Sequence, residues 1–440
     1  MAFKILIAGG GPVGLFAAHV FHKAGIEFEL LERNGTVIQE IGATVNLWPM
    51  SVRIVDQLGL GGVLEPLITE TDRRIVLTQN GTVFDDCPVE MRDFFGRTGW
   101  LFHRPDLLRG LYEALPDEAK ARIHTNKEVT EIDTSNDSGV VVTCADGTSF
   151  TGSIIIGADG INSRVRSLMR NMVLDAEGSK SPHLNDENPF EAKFMLLYGD
   201  APRPPDLAPG MMYDMHGTGR ASGLFILQDR AQFFVYTRLD QPTRDRSRRF
   251  TQDEIDAHAE QGGDYFIAPG LRFRDFYKTR YSSGMTLLHE GMVPNWTYGG
   301  RIVLVGDAAH KVTTNLGFGL NCGIDDVVTL ANHLHDLVQV KGTNERASLE
   351  KSFKVYESER LRAVPFMVSV SGNYTGTCLW SGWMDWLLDR WVFPAINMSW
   401  YIERYFMARI IANGIVLDFV EEENLVSGTV PWKNRPRRST

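Results

Sequence analysis

The sequence predicts an α/β protein with an inserted antiparallel sheet and a helical C-terminal region. Three observations carry this. An apolar run, a glycine turn and a helical stretch follow one another at the N-terminus. Alternating strands cluster around a proline-rich break near residue 205. Past residue 355 the pattern turns helical and rich in tryptophan. A chain of 440 residues is long enough for two or three packed domains and a large internal cavity.

Residues 4–8 form a short apolar run that reads as a buried parallel strand. Residues 13–24 then show helical spacing and stop at Gly25, and residues 28–31 form the next strand, which completes a βαβ unit. Residues 74–78 and 82–84 flank Asn80-Gly81 and predict a hairpin with a type I′ turn. Residues 104–115 are helical, and strands follow at 128–132, 140–144 and 149–156, with Asp146-Gly147 as a turn. Pro202, Pro204, Pro205 and Pro209 break the pattern, and strands at 194–198, 223–227 and 232–236 read as an inserted antiparallel sheet. Residues 301–305 return to a buried apolar strand, and 325–340 form a long helix.

The C-terminal stretch carries Trp380, Trp383, Trp386, Trp391 and Trp400. Asp385, Asp389, Arg390, Glu403 and Arg404 interrupt it too often for a spanning helix. It reads as a helical cap with buried aromatics, or alternatively as a lid or a membrane-surface helix. The tail from Pro431 reads as loose.

A net charge of −10 argues against nucleic acid or anionic lipid as the main partner, and the basic run from Arg238 to Arg249 reads as a solvated loop. The four cysteines are widely spaced, with no C-x-x-C pair and no histidine at metal spacing. No metal site and a reducing, cytoplasmic location are therefore expected. The glycines that break the N-terminal apolar run speak against a signal peptide.

Gly9-Gly10-Gly11-Pro12-Val13-Gly14 has G-x-G-x-x-G spacing between a strand and a helix. Gly9 permits the tight turn, Gly11 lets backbone approach a pyrophosphate, and Gly14 lets the helix pack close to the sheet. Pro12 fits the first helical position, and the helix N-terminus faces the phosphates. Glu32 ends the second strand, where a carboxylate can accept ribose hydroxyls. Together these are a Rossmann-type dinucleotide site, without a choice between FAD and NAD.

Two later motifs favour FAD. Residues 154–160 end a strand in Gly157-Ala158-Asp159-Gly160. Residues 301–310 end a strand in Gly306-Asp307-Ala308-Ala309-His310, which delivers Asp307 to the sheet edge, where it can bind a ribityl hydroxyl. Gly317-Phe318-Gly319-Leu320-Asn321 then opens a helix whose N–H groups suit the negative edge of a reduced flavin. Asp307 reads alternatively as a helix cap, Asp159 as a turn aspartate, and His310 as a base or as a structural group that orients the turn.

These motifs, with Glu32-Arg33, Gly42-Ala43 before Leu47-Trp48-Pro49, and the run from His103 to Leu108, resemble the group A FAD-dependent monooxygenases, the para-hydroxybenzoate hydroxylase family. The resemblance covers about residues 1–355. His310-Lys311-Val312, the segment from Asn188 to Tyr198 and the C-terminal helices ending at Phe419 resemble, within it, fungal enzymes that epoxidise or hydroxylate prenylated indoles and meroterpenoids.

The resemblance implies FAD held by Gly9, Gly11, Gly14, Glu32, Arg33, Gly42, Ala43, Arg104, Asp159, Asp307, Gly317, Gly319, Leu320 and Asn321, with Glu40 as a further candidate. It implies NAD(P)H as electron donor, visiting without a second fingerprint of its own, and oxygen transfer by a C4a-hydroperoxyflavin. The protein then supplies position and a dry site. Where the family usually has proline, this chain has Thr314, which puts the geometry of the flavin loop in question.

The implied organisation is an FAD-binding domain at 1–70, 88–184 and 286–355, a substrate-binding sheet at 71–87 and 185–285, and a helical region at 356–440. Phe194, Leu196, Tyr198, Phe225, Leu227, Phe234 and Tyr236 alternate as a wall for an apolar small-molecule substrate, with Tyr198 or Lys193 as candidate anchors or donors. Two alternatives stay open: a hydroxylase of a phenolic substrate, and a non-catalytic flavin-binding protein.

Overall fold

The computed structural model describes residues 3–40, 44–137, 139–422 and 425–437. Two sheets organise it. The first has six strands in the order Thr297–Tyr298, Ile302–Leu304, Ile154–Gly157, Lys4–Ala8, Glu27–Leu31 and Ile123–His124. All pairs are parallel except the first, which is antiparallel. Parallel strands sit between helix layers, which is why Ile5, Leu6 and Ile7 and Ile154, Ile155 and Ile156 are all buried rather than alternating. The helix Pro12–Lys23 packs on the helix Phe318–His335 over one face.

The second sheet has eight strands in the order His310–Lys311, Ser282–Met292, Glu191–Pro202, Arg230–Thr243, Arg220–Ile226, Met211–His216, Arg73–Thr78 and Val83–Pro88. The insertion is thus mostly antiparallel, but Met211–His216 and Arg73–Thr78 run parallel. The hairpin near residue 80 belongs to this sheet, far from it in sequence. Its turn is not type I′, because only Gly81 has positive φ, +85°. Gly81 N–H donates to Thr78 O and Thr78 N–H to Thr82 O, which makes a three-residue loop closed by a left-handed glycine. The predicted strand 149–156 is two strands, Ser149–Gly152 and Ile154–Gly157, in different sheets. The long helix begins at Phe318, seven residues before the predicted 325, because Gly317 in the left-handed region (φ +64°) starts it.

A 33-residue helix, Arg346–Cys378, joins both sheets. Tyr356 Oη donates to Leu304 O (2.9 Å) at the parallel sheet, while Tyr374 and Cys378 cover the eight-stranded one. Beyond it the predicted buried cap is a different object. Trp383, Trp386 and Trp391 are 74%, 43% and 55% exposed, with Tyr401 and Tyr405 exposed beside them. The described part of the tail, residues 431–437, is anchored rather than loose. Trp432 is buried against Phe95, and Arg53 lies over its ring while pairing with Glu422 (2.6 Å). No described helix is long and apolar enough to cross a membrane.

Candidate functional site

A cleft of about 660 Å³ opens at the carboxyl ends of the parallel strands. The first glycine turn forms its floor. Gly9 has φ +107°, and a Cβ there would lie 2.6 Å from Ala158 O. At Gly14 a Cβ would fall 1.9 Å from Gly9 O, so this position requires glycine for the helix to reach the turn. Gly11 differs: a Cβ there would meet no protein atom within 4 Å, and the same holds for Gly160 and Gly319, which also line the cleft. These three positions form a cradle open toward a ligand.

Glu32 is buried beside the turn. Its Oε2 accepts from Gly10 N–H (2.6 Å), and its Oε1 accepts from the Asn34 backbone N–H (2.9 Å) and side-chain amide (2.6 Å). Three of its roughly four acceptor sites are thus filled by protein, which fixes the carboxylate and leaves capacity for about one ligand hydroxyl. Arg33 is exposed at the cleft mouth. Glu40 lies off it, paired with Arg109 (3.2 Å). Gly42 and Ala43 lie outside the described residues.

Asp159 lines the cleft but spends its oxygens on the protein: it accepts from Ser163 Oγ (2.5 Å) and from the N–H groups of Arg164 (2.6 Å) and Val165 (3.1 Å). Ser163 is the N-cap of the helix Arg164–Glu177, and Asp159 fills the N–H groups of its first two residues. Asp307 does not act as a helix cap. It sits on the 3₁₀ turn Gly306–Ala308, half-buried in the cleft, and pairs there with Lys311. Arg104 stands in the same cleft. Burial pulls its pKa down, and the charges of Asp307, Tyr198 and Glu32 oppose that shift.

Beneath the Asp307 turn lies a fully buried hub. Asp326 Oδ2 accepts from Gly306 N–H (2.8 Å) and bonds His310 Nε2 (2.6 Å), while its Oδ1 accepts from Arg360 Nε (2.6 Å). His310 therefore orients the turn and does not face a ligand. Burial opposes ionisation of Asp326, but His310, Arg360 and these bonds outweigh it and hold its pKa below the usual carboxylate value.

Gly317, Gly319 and Leu320 line the cleft, but Asn321 does not present its side chain there. Its Oδ1 accepts from Trp48 N–H (2.9 Å), and its Nδ2 donates to Asn46 O (2.9 Å) and Gly317 O (2.7 Å). It clamps the strand Thr44–Leu47 to the start of the helix. Thr314 lines the cleft, and its hydroxyl bonds Tyr236 Oη (3.2 Å), so the loop is tied to the eight-stranded sheet by a hydrogen bond where a proline ring would stiffen it. Burial pushes the Tyr236 phenol well up, which keeps it protonated.

Tyr236 belongs to the sheet's inner face with Phe194, Leu196, Tyr198, Ala221, Phe225, Phe234 and Leu288. The register places Tyr236 opposite Leu196 and Ala221, and Phe234 opposite Tyr198 and Gly223. Leu227 lies past the strand end. Lys193 is not on this face. It sits at a bulge, half-exposed, and donates to Glu290 Oε1 (2.8 Å). Of the two candidates, Tyr198 lies on this face and Lys193 does not.

Sequence reasoning missed Lys311, Asn46, Arg360 and Asp326. For Asp326 the signal was an acid one helical turn beyond Cys322 on an otherwise apolar helix face; for Arg360 there was none, because its partner lies 34 residues away. Among the described residues no cluster of three or more metal-ligand side chains occurs.

A family model described as FAD binding domain matches residues 2–371. The chain is 33% identical over 454 aligned residues to the FAD-dependent monooxygenase srdH of Neurospora crassa, covering 99% of both chains. It is 31% identical to the FAD-dependent monooxygenase cle3 of Aspergillus versicolor, covering 82% of this chain and 74% of that protein. Among solved structures, FqzB superposes with a TM-score of 0.71 at 19% identity, covering 93% of each chain. Klebsiella pneumoniae HpxO, complexed with FAD and uric acid, superposes with a TM-score of 0.68 at 20% identity, covering 93% of this chain and 95% of that one.

Proposed function

We propose, on the premise that the chain belongs to the FAD binding domain family and is an FAD-dependent monooxygenase, that it epoxidises or hydroxylates an apolar secondary metabolite, a prenylated indole or a meroterpenoid, with NAD(P)H as electron donor. The observation that carries the substrate class is the inner sheet face. Phe194, Leu196, Tyr198, Phe225, Phe234 and Tyr236 form an aromatic and aliphatic wall that reaches the cleft through the Tyr236–Thr314 bond.

The residues fit FAD. Gly11, Gly160 and Gly319 leave the cradle open, Gly9 and Gly14 shape the turn, and Glu32 is fixed to receive a ribose hydroxyl. Arg104 and Arg33 would meet phosphates, Asp307 a ribityl hydroxyl, and the N–H groups from Gly317 to Leu320 the flavin edge. When bound, FAD supplies the redox chemistry that activates O₂ and transfers one oxygen atom. The chain orients the substrate against the cleft, excludes water with its aromatic face and ties the loop to the sheet through the hydroxyl–hydroxyl bond between Tyr236 and Thr314. In this reading 1–70, 88–184 and 286–355 hold the cofactor, 71–87 and 185–285 the substrate, and 356–440 cover it, with the strand Ser282–Met292 straddling the boundary at 285.

The test is NADPH consumption with a panel of prenylated indoles and small polar phenols. Stimulation by the prenylated compounds with an oxygenated product supports the reading, and turnover confined to polar phenols contradicts it.

A second reading concerns location. Exposed Trp383, Trp386, Trp391, Tyr401 and Tyr405 lie beside exposed Arg404 and Arg409, a composition suited to the headgroup layer of a bilayer. A cytoplasmic enzyme would then meet an apolar substrate at a membrane surface. Co-sedimentation with anionic vesicles, lost in Trp383→Ser/Trp391→Ser, supports this, and equal recovery with and without vesicles contradicts it.

A further inference from the structure

Two acids that line the cofactor cleft, Glu32 and Asp159, are held by N–H and O–H donors of the protein. Asp307 differs. Its Oδ2 accepts from Lys311 Nζ, and its Oδ1 has no hydrogen-bond partner among the described residues. Lys311 is also its one ion-pair partner among them.

The fold puts this lysine in place. The strand His310–Lys311 pairs antiparallel with Ser282–Met292, with His310 opposite Met292 and Lys311 opposite Gly291. Successive side chains of a strand point to opposite faces. His310 points into the core, where it is fully buried against Asp326. Lys311 therefore points the other way, into the cleft, and its side chain is 24% exposed. From residue 305 to residue 320, Asp307 and Lys311 are the two charged side chains that line the cleft among the described residues. An accessible ion pair adds little to stability, and the turn is already held from below by the bond from Gly306 N–H to Asp326. The consequence of the pair is thus the charge that it presents to whatever lies in the cleft.

That charge matters for FAD. Its reduction by NAD(P)H transfers a hydride, two electrons and one proton, and leaves one negative charge on the flavin ring. A lone carboxylate at Asp307 would oppose the new charge, and more strongly in a cleft shielded from water than in bulk solvent. We propose that Lys311 sets the reduction potential of the bound flavin. Its ammonium cancels the Asp307 charge, so the carboxylate can accept a ribityl hydroxyl with its remaining oxygen and still not repel the electrons that the ring takes up. Lys311 acts through Asp307 and is a positioning residue. The inference rests on the cofactor placement proposed above and not on the substrate class.

The experiment uses the FAD-loaded full chain. Affinity for oxidised FAD is read by fluorescence titration, and the potential by anaerobic equilibration with a reference dye. Lys311→Gln keeps an N–H donor for Asp307 but not the charge. It should weaken reduced FAD about tenfold more than oxidised FAD, which lowers the potential by about 30 mV for a two-electron couple. Lys311→Met should lower it as far. Lys311→Arg keeps the charge and should stay within about twofold of the wild type in the same ratio. A clasp that only holds the turn gives a different ranking: Lys311→Gln keeps the wild-type potential, and Lys311→Met weakens both oxidation states equally. That ranking, or a fall in Lys311→Arg as large as in Lys311→Gln, overturns the proposal. If Lys311→Met fails to retain FAD, Lys311→Gln against Lys311→Arg decides. A wild type that binds no FAD overturns the cofactor placement itself.

Discussion

The cofactor cleft and the inner face of the eight-stranded sheet meet at the Tyr236–Thr314 bond but are built by opposite means. The cleft offers backbone: three glycines open toward the ligand, two helix N-termini, and side chains already fixed by the protein, such as Glu32 and Asp307. The sheet face offers side chains from four adjacent strands, with the long helix laid over them. Backbone cradles tolerate almost no change in residue type. A packed face accepts exchanges of similar volume and moves its specificity instead. Lesions in the two regions should therefore differ in kind: cofactor loss in the first, altered coupling with the cofactor retained in the second.

The largest effect is expected at Gly14→Ala. Its Cβ would meet Gly9 O at 1.9 Å, so the helix must leave the turn, and the purified protein should be colourless and poorly folded by circular dichroism. Asp326→Ala comes next. It strands buried Arg360 and His310 and should cost about 3–5 kcal/mol, read as a fall in the thermal midpoint, although the residue touches no ligand. Gly11→Ala sharpens the contrast. Its Cβ meets no protein atom within 4 Å, so the fold should be unchanged while FAD affinity falls on the order of tenfold, measured by fluorescence titration. A Gly11→Ala protein that keeps FAD as tightly as the wild type would break the comparison.

Smaller effects belong to the sheet side. Tyr236→Phe removes the bond to Thr314 and should cost about 1 kcal/mol in stability. FAD content should stay at the wild-type level, and more of the NADPH consumed should appear as hydrogen peroxide. The smallest effect is pH-dependent. Burial raises Glu403 to about 7, with its bond to the Glu90 N–H pulling the other way. An acid whose folded pKa lies above its unfolded value loses stability as pH rises from about 4.5 through 7. Glu403→Gln keeps an acceptor for Glu90 and should match the wild type at pH 5 but melt a few degrees higher at pH 8.

The same contrast explains what was legible in the sequence. Gly9, Gly11, Gly14, Glu32 and Asp307 are read easily because each sits at a fixed offset from a strand end, and local geometry dictates its type. The alternation of Phe194, Leu196 and Tyr198 was likewise legible, since a strand has a period of two. What covers that face was not, because Tyr374 and Cys378 arrive from a helix some 180 residues away. Asn321 and Asp159 had the right residue types for ligand contact, but their side chains are consumed by Trp48, Asn46 and Gly317 in one case and by a helix start in the other. Tryptophans at helical spacing suggested burial, yet Trp383 and Trp391 face outward, because periodicity reports a stripe and not what lies against it.

The flavin content and NADPH oxidation of the purified full chain, with and without a prenylated indole under ¹⁸O₂, test the account most directly. It predicts a yellow protein with equimolar FAD, NADPH oxidation accelerated by the indole, and one labelled oxygen atom in the product. A colourless protein that cannot be reconstituted with FAD would contradict it.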